Sequence, residues 1–384
     1  MNEAAKHWKI RSDTIYLNHG SFGPPPVCVQ QARRAWSDRL DEQPMDFFVR
    51  QLEPALLDAR KKLAEFVGTD AGNLVFVENA TFAMNVVASN FVLQPGDEVL
   101  TNNHEYGAVQ RIWKRACERA NADLVIAQLP LQIETPEQII EAIFAKVTSR
   151  TRLLVVSHIT SATAMIMPVE EICLRAKETD IPVCVDGPHA LAQLDLNIDQ
   201  LGCDFYTASC HKWLSAPFGS GFLYVPPRHH ESMEPIVKSW GRLLPNMPET
   251  WDQEFSWSGT RDSSAYLSVP TAIDFLQSYG LEKFRGQTHE LARYARFQLE
   301  ELFKQSALVP DSIEWYGSMS EVPLPTGDWS SLQRNLWENH KIEVPLVNFD
   351  GGWYIRVSCH LYNDRSQIDR LVASLEREKV VGFV

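Results

Sequence analysis

IPVCVDGPHALAQLDLNIDQLGCDFYTASCHKWLSAPFGSGFLYV, residues 181–225, holds three short apolar runs separated by turn and helix signals. IPVCVD (181–186), DFYTAS (204–209) and GFLYV (221–225) are rich in β-branched and aromatic residues, so each reads as a strand. Asp186 closes the first run, and Lys212 follows the second within SCHKW (209–213). Ligands in open α/β sheets bind outside the carboxyl ends of the strands. A carboxylate and an amine are therefore both delivered to one such edge.

The same grammar extends upstream. NLVFV (73–77), DEVLT (97–101), DLVIA (123–127) and RLLVVS (152–157) read as strands. Helical stretches lie between them at 81–91, 106–120, 136–147 and 168–179, the last with Val169, Ile172, Cys173 and Ala176 on one stripe. This alternation predicts an α/β fold with a mostly parallel sheet. The pattern changes after Pro226. Helices are expected at 263–279, 281–305 and 329–339, strands at SIEWY (312–316), KIEVPLV (341–347) and WYIRVS (353–358), and a last helix over 364–378. The expected organisation is an N-terminal arm (1–45), a large domain (46–258) and a smaller C-terminal α+β domain (259–384). In the arm, SFGPPP (21–26) must be an extended turn, because each proline restricts the residue before it.

Composition narrows the class. The chain has 384 residues, with 36 Lys+Arg against 49 Asp+Glu and a net charge of -13. That balance argues against nucleic-acid binding and leaves room for a local anion pocket. No apolar stretch approaches ~20 residues, so no membrane span is expected, and MNEAAKHWKIRSD lacks the pattern of a secretory signal. The seven cysteines are scattered and never form C-x-x-C, which predicts no disulfide framework, no metal site and a reducing, cytoplasmic home. His229 and His230 in PPRHHE read as a solvated loop, since a metal site would need further ligands. FGSGF lacks dinucleotide spacing and reads as a tight turn beneath the lysine.

The chemistry lies in what the strand ends combine. A buried lysine beside another basic residue becomes a nucleophile toward an aldehyde, although a lysine next to a tryptophan is by itself an ordinary snorkelling side chain. Asp186, taken alone, is a turn or cap residue. One strand away from Lys212, it can pair with a pyridinium nitrogen and keep the ring an electron sink for a carbanion. Glu78-Asn79-Ala80-Thr81 opens a helix, whose free amides and dipole favour an anion, with Asn79 and Thr81 also serving as caps. Ser209 and His211 flank the lysine, and SGT (258–260) can add donors from a neighbouring subunit. Lysine, carboxylate and anion loop together point to pyridoxal 5'-phosphate.

In this order the motifs resemble those of the class V aminotransferase superfamily of fold-type I pyridoxal-phosphate enzymes, and within it the isopenicillin N epimerase-like branch. The resemblance spans almost the whole chain: YLNHGSFGPPP (16–26), ENAT (78–81), NHEYGAV (103–109), SHITSAT (157–163), DGPHALAQ (186–193), SCHKW (209–213), SGTRD (258–262) and IRVSCHLYN (355–363). It implies that Lys212 forms the cofactor aldimine and shuttles the Cα proton, that Asp186 pairs with the pyridine nitrogen, and that His189 and Ser161 approach the phenolic oxygen. Asn79, Ala80, Thr81, Ser209 and His211 would hold the phosphate, with Thr260 reaching across a homodimer interface. Tyr106, rather than Glu105, would stack on the ring. Arg356 would bind the substrate carboxylate, and His19 is a further substrate-side candidate. Cysteine desulfurases of this superfamily use a loop cysteine, and 325–350 has none. The expected activity is epimerisation of an amino-acid-like substrate. The alternatives are β-elimination with C–S cleavage of a cysteine-derived substrate, aminotransfer, and a non-catalytic scaffold.

Overall fold

The computed structural model describes residues 3–241 and 250–382. In chain order its strands are β1 (Ile15–Tyr16), β2 (Leu74–Val77), β3 (Glu98–Asn102), β4 (Asp123–Ala127), β5 (Thr151–Ser157), β6 (Val183–Asp186), β7 (Phe205–Ser209), β8 (Gly221–Tyr224), β9 (Met319–Pro323), β10 (Ile342–Glu343), β11 (Leu346–Phe349) and β12 (Gly352–Ser358). Seven of them form the central sheet in the order β2-β8-β7-β6-β5-β3-β4. All its pairings are parallel except those of β8 with β2 and β7.

Period-2 alternation explains why this sheet is covered on both faces. On β5, Leu153 and Val155 enter one apolar cluster and Leu154 and Val156 the other. Cys184 and Val185 on β6 divide the same way, as do Phe205 and Tyr206 on β7. One cluster is completed by Met84 and Val87 of helix Ala80–Asn90 and by Val109, Trp113 and Cys117, one stripe of helix Gly107–Ala120. The other takes in Ile172 and Ala176, helix Val269–Tyr279, and Val322, Ile355 and Val357 of the smaller sheet β11-β12-β9.

Local chemistry sets the helix starts nearest the sheet edge. The Asn79 side chain caps helix Ala80–Asn90 by accepting from the Phe82 amide at 2.9 Å. Thr135 and Gln138 make a capping box ahead of Pro136. The chain reverses its direction of growth at β3, with β4 on one side and β5 on the other. The carboxyl ends of β3, β5, β6 and β7 therefore flank a switch point, where ligands enter such sheets.

Several expectations are corrected. SIEWY is not a strand. Residues 312–316 form turns, because Ser312 bonds locally to Pro310 and Glu314, and the strand begins at Met319. KIEVPLV breaks at Pro345 into β10 and β11, since proline has no amide to donate. The helix over 263–279 is two helices, Ser264–Leu267 and Val269–Tyr279. PPRHHE is a short helical turn in which His229 bonds Asp204 at 2.7 Å and His230 bonds the Val225 carbonyl at 2.9 Å. The N-terminal segment contains helix Val27–Glu42. Its β1 pairs with β10 in a separate two-stranded sheet, and the Ser358 amide of β12 donates to Leu17 O at 2.9 Å.

Candidate active site

A cavity of about 490 Å³ opens at the switch-point edge, within the usual range for a small-molecule site. It is lined by residues from six stretches: Ser21 and Phe22, Asn79 to Thr81, Tyr106, Ser161, and the Asp186–His189 and Ser209–Lys212 segments. Asp186 ends β6 directly beside β7, where Thr207 donates to its Oδ1 at 3.0 Å. Burial pushes the Asp186 carboxyl up to about 6, with Lys212 and Thr207 pulling it back.

The proton on His189 can be placed. The indole of Trp213 can only donate, and its Nε1 lies 3.2 Å from His189 Nδ1. Nδ1 is thus an acceptor. Burial above all holds this ring well below its ordinary value, so it is neutral and its proton sits on Nε2. That nitrogen is 2.9 Å from Lys212 Nζ. A donor pointing at the amine requires a lone pair there, so Lys212 is held as a neutral amine. The amine itself is weakened in the same direction. Burial lowers its proton affinity to about 7, opposed by Asp186.

The opposite wall is the start of helix Ala80–Asn90. The Ala80 amide donates to Ser209 Oγ at 2.9 Å and the Phe82 amide to Asn79. Between them Thr81 lines the cavity. His211 Nδ1 is buried without a partner among the described residues. Gly221 lies under this corner, and a Cβ there would meet Ala208 O at 2.5 Å and Asn79 Cα at 2.8 Å. Only glycine lets β8 approach so closely.

Glu105 and Tyr106 separate cleanly. Tyr106 lines the cavity and is 47% exposed. Glu105 is buried below it, accepting from Ser157 Oγ at 2.6 Å and from the Tyr106 amide at 2.8 Å. Burial and then the Asp186 charge raise its carboxyl to about 8. Arg356 is placed less directly than expected. Its guanidinium is buried behind the wall, donating to the Ser161 carbonyl, to Ser161 Oγ at 3.3 Å and to Ser21 Oγ at 2.8 Å, while Nε has no partner among the described residues. The two serines, not the arginine, reach the cavity. His19 departs further. It is fully buried outside the cavity, so it does not stand where a substrate-side group must. Thr260 is exposed and also outside its own chain's cavity. Sequence reasoning missed Ser21, Phe22 and Trp213. The extended SFGPPP turn was the available signal for the first two.

A nucleophilic amine suits an aldehyde, a buried carboxylate suits a ring nitrogen, and an open helix start beside an orphaned imidazole nitrogen suits a phosphate. Pyridoxal 5'-phosphate combines all three, and the protein is a pyridoxal-phosphate-dependent enzyme of fold type I. The family profile "Aminotransferase class-V" matches residues 45–371, and the chain belongs to that family. It is 35% identical to isopenicillin N epimerase of Streptomyces clavuligerus, over 97% of each chain. It is 29% identical to putative L-cysteine desulfhydrase 1 of Oryza sativa subsp. japonica, over 96% of this chain and 83% of that one. Among solved structures, a lysine-to-alanine mutant of C-DES with glycine covalently linked to the PLP cofactor matches with a TM-score of 0.81 at 21% identity, over 95% of this chain and 96% of the other.

Proposed function

We propose that this enzyme inverts the α-carbon of an amino-acid substrate, in the manner of an isopenicillin N epimerase. The observation that carries this reading is that two proton-bearing groups, the Lys212 amine and the Tyr106 phenol, line one cavity. Inversion needs a proton to leave one face and arrive at the other, which two such groups can provide. When bound, the cofactor supplies the electron-withdrawing ring that makes the α-proton acidic. Lys212, kept neutral by His189, takes that proton. Asp186 would pair with the ring nitrogen, and His189 and Ser161 would serve the phenolic oxygen. Asn79, Ala80, Thr81, Ser209 and His211 would hold the phosphate. Tyr106 would pack on the ring and supply the returning proton. Arg356 receives the substrate carboxylate once Ser21 or Ser161 gives way.

The second reading is β-elimination with C–S cleavage, favoured by the desulfhydrase relative. It uses the same proton removal and needs only a leaving group on the β-carbon. A persulfide route on the protein is disfavoured, because among the described residues no cysteine lines the cavity. We further propose a homodimer in which Thr260 of the partner subunit completes the phosphate pocket, consistent with the exposure of that residue. We also propose a domain division at 1–45, 46–258 and 259–384. A cytoplasmic location fits seven free cysteines; among the described residues no helix is long and apolar enough to cross a membrane. Incubation with L-amino acids, L-cysteine included, in deuterated water separates the reactions. Deuterium on an inverted α-carbon is expected. Pyruvate and ammonia would replace this reading with the lyase, and stoichiometric conversion of the cofactor to its pyridoxamine form with transamination.

A further inference from the structure

The N-terminal segment grips the turn that carries Lys212, and His19 is the point of contact. Its Nε2 lies 3.0 Å from the Lys212 carbonyl, so this nitrogen carries the proton and donates. Its Nδ1, 2.9 Å from the Tyr362 hydroxyl, accepts. The ring stacks on His360 with centroids 3.9 Å apart. Burial drives His19 down to about 3, so it stays neutral and in this one tautomer across the working pH range. Gly23 seals the contact. A Cβ there would come within 2.6 Å of His19 Nε2 and of His211 O, and within 2.7 Å of Lys212 O.

The turn being held is a strained one. Ser215 has φ 57, in the left-handed region that a residue with a Cβ seldom adopts. The Lys212 carbonyl accepts from the Ser215 amide at 2.8 Å and from His19, so two donors fix that peptide. Ser215 Oγ also lies 3.4 Å from both His19 Nε2 and His360 Nε2. At the other end of the residue, the amine has a single hydrogen-bond partner among the described residues, His189. Where the amine sits relative to Asp186 and His189 therefore depends on how the carbonyl is held.

We infer that His19 is a positioning residue for the cofactor lysine: by donating to the Lys212 carbonyl it fixes the peptide from which the reactive amine projects. The inference rests on the reading of Lys212 as the cofactor-bearing residue. It gives His19 a task away from the substrate, and it ties the lysine to two remote stretches, the N-terminal arm and the segment carrying Tyr362. The charged and titratable groups facing Lys212 are Asp186, His189, His211 and Arg356. Those facing His19 are His211, His360 and Tyr362. Release of the peptide moves the amine against the first set and so changes its proton affinity.

The test is a pH titration of the visible absorption of the holoenzyme for wild type, His19→Phe, His19→Gln and Tyr362→Phe. Phenylalanine keeps the ring and removes the donor, whereas glutamine retains an N–H. His19→Phe is expected to move the midpoint by about one pH unit, a roughly tenfold change in proton affinity for one lost buried hydrogen bond. His19→Gln should restore most of it. Tyr362→Phe, which frees the proton to occupy either ring nitrogen, should move it less in the same direction and serves if His19→Phe does not fold. An unmoved midpoint in both His19→Phe and Tyr362→Phe would overturn the inference. So would loss of cofactor in step with thermal stability, without a midpoint shift in the loaded fraction. If wild type lacks an absorption band that Lys212→Ala removes, the reading of Lys212 itself fails and the inference falls with it.

Discussion

Replacing Asp186 with asparagine should stabilise the apoprotein while disabling the enzyme. The Asp186 carboxyl is buried, and burial raises it from 3.8 to about 6. An acid raised on folding binds its proton more tightly in the native state, so stability falls as pH rises from its unfolded value through its folded one. Above pH 6 the whole penalty is present. The difference of about two pH units at ~1.36 kcal/mol each makes it about 3 kcal/mol at pH 7, and less than about 1 kcal/mol at pH 4. Asparagine keeps the oxygen that accepts from Thr207 and carries no charge. Chemical denaturation of the apoprotein should therefore show Asp186→Asn gaining stability at pH 7 and little at pH 4, while turnover of the loaded enzyme collapses. Equal destabilisation at both pH values would refute the reasoning, because it would mean that the carboxylate is not paying a desolvation cost.

Two further substitutions probe other walls of the site. Gly221→Ala should press its methyl into Ala208 O and Asn79 and displace the helix start, costing more than about 2 kcal/mol in stability. A cofactor titration followed by fluorescence should show binding weakened in the same variant, and unchanged affinity would contradict the placement of the phosphate there. Arg356→Lys loses the fork that reaches both Ser21 and Ser161. It should raise KM at least about tenfold with a smaller change in kcat. Saturation kinetics with the substrate found in deuterated water would check this, and an unaltered KM would remove Arg356 from carboxylate binding.

The sheet edge was legible in the sequence because each central strand is a near-continuous apolar run that stops at a polar residue, Ser157, Asp186 or Ser209. The anion loop was legible because Asn79 is a capping residue placed between a strand and an amphipathic helix. SIEWY was misleading for a physical reason. Its apolar content is that of a strand, yet Ser312 diverts the backbone into local bonds. His19 was visible as unusual but not as structural, since nothing local reveals that Tyr362 and Lys212, far apart in sequence, claim its two nitrogens. Arg356 stood out as a strand arginine in the sequence, but only packing shows that Ser21 and Ser161 stand between it and the cavity. Neutral Lys212 was the least legible of all. It depends on the tautomer of His189, which is fixed by Trp213, and that chain of partners exists only in the folded protein.

The central claim is that Lys212 carries the cofactor, and absorption spectroscopy tests it most directly. Purified protein supplied with pyridoxal 5'-phosphate should show a band near ~420 nm from the lysine-bound cofactor. Lys212→Ala should lack that band while keeping the far-ultraviolet circular dichroism of the wild type. A wild-type protein without the band, or a folded Lys212→Ala variant that retains it, would contradict the claim.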